Sequence, residues 1–142
     1  MPTPTRGDHG INKVVAFGFG FIYLFVAVVG FVVTGFDGFA EPGNASYLAG
    51  FAVNPLHNVV HLVIGLALLA SSRRTGSARA VNGLVGVVYL LVGLIGLFIA
   101  RPDEPLNVLA INGFDNVLHL GTAMVLLTIA GAADRTRRPA VI

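Results

Sequence analysis

Two short phrases hold most of the chemistry this chain can offer. Residues 54–62 read NPLHNVVHL, and residues 112–120 read NGFDNVLHL. Each sets an asparagine, a histidine or aspartate three positions on, a second asparagine, and a histidine one helical turn deeper. At 100° per residue, Asn54, His57, Asn58 and His61 fall within about 100° of arc and so share one helix face. Asn112, Asp115, Asn116 and His119 repeat that face. His57, His61, Asp115 and His119 are then four potential ligands, and imidazole with carboxylate suits a transition-metal ion such as zinc, copper or iron. Two imidazoles four residues apart is also the device by which metallopeptidase helices bring two histidines to one ion. Those helices carry a glutamate base that is missing here, which speaks against a peptidase.

The same residues have plainer uses. Asn54 before Pro55 is a helix start, with asparagine as cap and proline at the first helical position. Asn112 with Asp115 three residues later is a relative of the capping box. Asn58 and Asn116 suit a second shell that orients the imidazoles, or polar glue between helices. His61 and His119 stand apart. Each lies about two turns inside an apolar run, where ionisable side chains are costly and mark function. As a pair they also fit the two axial ligands of a haem b in a bundle core. His57 and Asp115 would then sit at its edge, and glycines of neighbouring helices would make room for the macrocycle. An ion or proton path is a third use, opposed by the lack of ionisable residues toward the other membrane face. A non-catalytic accessory subunit, with histidines locking two helices, is a fourth. No serine or cysteine nucleophile arrangement exists, and GFGF lies inside an apolar run rather than in a phosphate-cradling loop.

The elements that must position these groups are membrane helices. The chain is 55% hydrophobic and 11% charged, with a mean hydropathy of +0.81, more apolar surface than a soluble domain of 142 residues can hide. Apolar runs at about 14–36, 55–70, 80–100 and 113–132 predict four spans, the second of which has room to begin a few residues earlier. Residues 1–13 read as a flexible tail, with His9 solvated, and residues 133–142 as a basic one. Cysteine is absent, which excludes thiolate metal sites and disulfides. Small residues before Glu41 fit a signal-peptide cleavage site, but the run preceding them is too long for a signal h-region.

Basic residues set the orientation. Arg6, Lys13, Arg73, Arg74, Arg79, Arg135, Arg137 and Arg138 fall on one side of the spans, and Arg101 alone on the other. Both termini are expected to be cytoplasmic in a bacterial inner membrane. The formal charge of +2 is then the ordinary positive-inside pattern, not a nucleic-acid footprint. The partner is the lipid bilayer, with a homo-oligomer or larger membrane complex as a further expectation.

Aligning Tyr23 with Tyr89 also pairs Gly20 with Gly86 and Gly30 with Gly96, while aligning His61 with His119 pairs the asparagines. The expected fold is an all-α four-helix transmembrane bundle, built from a tandem repeat of two-helix units about a pseudo-two-fold axis along the membrane normal. The two phrases, with ARAVNGLVGVVYLLVGLIGLF between them, resemble a family of small four-helix membrane proteins common in actinobacteria and catalogued as domain of unknown function four-three-eight-three. The resemblance spans roughly residues 11–132. It implies a four-span bacterial membrane protein in which the polar phrase is a family trait, and it implies no activity.

Overall fold

The apolar runs fold as four helices: α1 (Ile11–Thr34), α2 (Pro55–Ser71), α3 (Thr75–Ile99) and α4 (Gly113–Ala132). The computed structural model describes residues 10–101 and 103–134, so Arg6, His9, Arg135, Arg137 and Arg138 lie outside the described residues. Helices α1, α3 and α4, of 24, 25 and 20 residues, are long and apolar enough to cross a membrane. Helix α2 has 17 residues, about 26 Å at 1.5 Å per residue, slightly short of a hydrocarbon core of roughly 30 Å. Side chains on the outer surface suit lipid: Phe17, Phe21 and Phe25 of α1 are 60%, 62% and 61% exposed. This is a helical membrane protein by the length and composition of its elements.

Helix α1 runs along α2, and α3 along α4. Small residues let the backbones approach. A Cβ placed on Gly20 would meet the Leu69 amide nitrogen at 2.9 Å and the Gly65 carbonyl at 3.0 Å. Between α3 and α4, Gly86 and Gly93 are filled by the side chains of Leu127 and Leu120. The core joining the pairs includes Ala16, Tyr23, Leu68, Val85, Tyr89, Ala123 and Leu126.

Residues 46–53 do not extend α2 toward its N-terminus. They form an antiparallel hairpin, β1 (Ser46–Leu48) with β2 (Phe51–Val53), in register Leu48↔Phe51. Its two-residue turn places Ala49 and Gly50 at φ 51° and 92°, the left-handed geometry that matches strand twist in tight hairpins. Pro55 at the start of α2 stops the helix from growing backward into the hairpin.

The opposite end also departs from expectation. Helix α1 begins at Ile11 and takes in Asn12 and Lys13, residues read above as tail. Gly10 supplies no side-chain cap. Asp134, just past α4, does so instead. Its carboxylate accepts from the Ile11 amide at 3.0 Å, the Asn12 amide at 2.8 Å and the Asn12 side chain at 3.0 Å. Asn82 of α3 then donates to the Asn12 carbonyl at 3.0 Å. The Asn12 backbone N–H, followed by its side chain, the Ile11 amide and the charge of Arg79, holds the Asp134 carboxyl below the ordinary value of 3.8.

A depressed folded value stabilises the native state above the ordinary value, and that contribution is lost as pH falls through the folded one. Asp134→Asn should therefore melt below the parent at neutral pH, with the gap closing as the solution is acidified below 3.8. Thermal unfolding in detergent across pH reads this out, and a gap that is constant with pH would contradict it.

Candidate metal centre

The starts of α2 and α4 are built by local hydrogen bonds. Asn54 caps α2, its side-chain oxygen accepting from the His57 amide at 2.9 Å. Asn112 and Asp115 form a full capping box on α4. The Asp115 amide donates to Asn112 Oδ1 at 3.1 Å, and the Asn112 amide donates to Asp115 Oδ2 at 3.0 Å. The loops are tied to these caps. The Ala52 amide of β2 donates to Asp115 Oδ2 at 3.2 Å. Asn112 Nδ2 donates to the Gly50 carbonyl at 2.8 Å, and Asn54 Nδ2 to the Val108 carbonyl at 2.7 Å. The hairpin and the α3–α4 loop are thereby fastened over the helix ends.

Three of the four candidate ligands converge beneath. His57, His61 and His119 are 2%, 7% and 4% exposed. One ring nitrogen from each lies within 4.8 Å of the others. The ring centroids of His57 and His61 are 4.5 Å apart, and those of His57 and His119 are 5.9 Å apart. Nδ1 of all three imidazoles is buried without a hydrogen-bond partner among the described residues. Buried polar atoms are nearly always paired, so three orphans on one cluster call for an explanation, and an ion is one. Ligands on a tetrahedral zinc lie about 3.4 Å apart, so closure asks the rings to draw in by roughly an ångström. A cavity of about 20 Å³ adjoins the rings.

The remaining predicted residues fall around this cluster. Asp115 is not in the three-histidine group; its Oδ2 serves the backbone of β2 and of its own helix. Asn54 and Asn112 are caps. Asn58 of α2 donates from Nδ2 to Thr34 Oγ1 at 3.0 Å, and its amide fills the space a Cβ would need at Gly30. Asn116 of α4 occupies the same kind of space at Gly96. Gly20, Gly30, Gly86, Gly93 and Gly96 are therefore packed by neighbouring groups rather than open to a flat cofactor.

Two residues without a role in the sequence reading enter here. Tyr23 and Tyr89 stack with ring centroids 5.4 Å apart, and each meets a histidine at a tilt, Tyr23 with His61 at 5.2 Å and Tyr89 with His119 at 4.9 Å. Their matched places in the two halves, and the need of a buried tyrosine for a polar neighbour, were the available signals.

Membrane-length helices around a buried three-histidine cluster define the class: a helical membrane protein with a candidate metal centre. The chain belongs to the family described as Domain of unknown function (DUF4383), which matches residues 13–132. No curated protein and no solved structure matches the chain.

Proposed function

We propose that the protein binds one transition-metal ion through His57, His61 and His119, near the outer face of a bacterial inner membrane, with Asp115 positioning the roof rather than ligating. The observation that carries this reading is the convergence of three buried imidazoles, each with an unpartnered Nδ1, beside a cavity of ion size. Nitrogen-only ligation suits zinc, copper or iron. The outer-face assignment follows from the arginine distribution, which puts the hairpin end away from the basic loops.

A tandem repeat accounts for how the site is made. Asn54 and Asn112 cap in the same way. Asn58 and Asn116 pack on Gly30 and Gly96, and the Tyr23–His61 contact has its counterpart in Tyr89–His119. These paired contacts support two-helix units related by a pseudo-two-fold axis along the membrane normal. Haem b on His61 and His119 finds less support, because a cavity of about 20 Å³ has no space for a macrocycle and the glycine seams are filled.

Elemental analysis by plasma mass spectrometry, on protein purified without a histidine tag, tests the reading. About one equivalent of metal per chain is expected. With iron, the absence of a Soret band separates a bare ion from haem. A chain that neither carries metal nor takes it up on addition would overturn the proposal and favour an accessory subunit.

A further inference from the structure

A second cavity lies above the histidines, between the hairpin and the α3–α4 loop. It measures about 120 Å³, and its walls include Ala45, Tyr47, Ala52, Asn107, Ala110 and Asn112. Tyr47 is 62% exposed at its mouth. One water needs roughly 10–15 Å³ measured the same way, so several fit. The floor of this cavity is thin. Ala52 and Ala110 line it from above, while Leu109 lines the small cavity at the histidines. The backbone carbonyls of Ala52 and Leu109 also accept from the His57 side chain. His57 is the outermost of the three histidines, in the first turn of α2. A metal-ligating histidine commonly donates its other ring N–H to a backbone carbonyl. A strip of backbone therefore separates a cavity with room for water from the first ligand. The opposite approach is closed. Toward the cytoplasmic end the core is Ala16, Leu68, Ala123 and Leu126, each 1% exposed or less. Such a core offers a hydrated cation no passage, and neither does the lipid on the flanks.

We infer that the ion enters and leaves from the outer side, through this second cavity, and that the backbone at Ala52 and Leu109 is the gate it passes. This rests on the proposed metal centre. The gate is pinned by side chains of the two phrases that carry the histidines. Asp115 holds the Ala52 amide, Asn112 the Gly50 carbonyl and Asn54 the Val108 carbonyl. Opening takes the two carbonyls away from His57; closing returns them and orients its ring for the ion. The metal supplied is a transition-metal cation of the outer solution rather than of the cytoplasm.

The chain has no cysteine, so one introduced thiol can be addressed by itself. Ala45→Cys places it in the cavity wall. Leu106→Cys, at a position 71% exposed in the α3–α4 loop and outside the cavity, is the control. Each metal-free variant is treated in detergent with a bulky neutral methanethiosulfonate, then mixed with cobalt(II), whose visible spectrum reports uptake. Labelled Ala45→Cys should take up cobalt about tenfold more slowly or worse, because entry must then wait for local unfolding of the roof. Removing the label with a phosphine should restore the rate, and labelled Leu106→Cys should match the parent. Uptake by labelled Ala45→Cys as fast as by the unlabelled variant would overturn the inference while leaving the metal centre standing. So would a thiol at position 45 that the reagent cannot reach, or a slow rate that persists once the label is removed. Failure of the parent to take up cobalt would instead remove the metal centre, and this inference with it.

Discussion

Replacing His61 and His119 together by alanine is expected to abolish stoichiometric metal binding. Each helix loses the imidazole that lies deepest in the bundle, and one nitrogen donor, His57, remains. Removing a partner that merely orients a ligand costs about 10–100-fold in affinity; removing two ligands should cost far more, enough that no metal survives purification. The reading also predicts a linkage effect. An ion bound only by the folded state stabilises it by about 2.7 kcal/mol at a free concentration one hundred times Kd. Metal should raise the melting temperature of the parent, chelation should lower it, and neither should move the double variant. If the histidines only lock α2 to α4, the parent should instead be indifferent to metal and chelator. The double variant would then melt well below it under both conditions. Metal analysis and melting curves on the same four samples separate the two cases.

Gly65→Val should be among the most damaging single changes in the bundle. A Cβ at Gly65 would lie 2.9 Å from the Leu24 amide nitrogen and 3.0 Å from the Gly20 carbonyl. Both are backbone atoms of α1, so no rotamer change relieves the contact and the helices must separate. Overpacking a tight core costs about 1–3 kcal/mol when side chains can adjust, and a branched side chain against backbone belongs at the upper end or beyond. At about 2–4 °C per kcal/mol or more for a chain of this size, the melting temperature should fall by roughly 10 °C. Helix α2 carries His57 and His61, so metal affinity should fall as well. Gly18→Val is the control, because a Cβ there meets nothing within 4 Å. A Gly65→Val protein as stable as Gly18→Val would show that the close α1–α2 crossing is wrong.

The chain's own order of residues determined what forms within one helical turn or one apolar run. The Asn54 cap and the Asn112–Asp115 box were legible because donor and acceptor stand three residues apart, a distance the helix itself closes. The membrane character was legible because lipid admits a long apolar run only as a helix. The meeting of His61 with His119 was legible because a histidine recurs at the same place in the two phrases. Only the tertiary structure decided which of the candidate ligands come together. Asp115 and His57 hold equivalent places in the two phrases, yet Asp115 Oδ2 accepts from the Ala52 amide, 63 residues away, while His57 packs against His61 and His119. The hairpin that supplies that amide depends on a turn at Ala49, a residue that seldom takes left-handed geometry without surrounding contacts to hold it there. The start of α1 depends on Asp134, 122 residues beyond Asn12. Periodicity records which face of an element is polar; it carries no record of which partner the fold brings to that face.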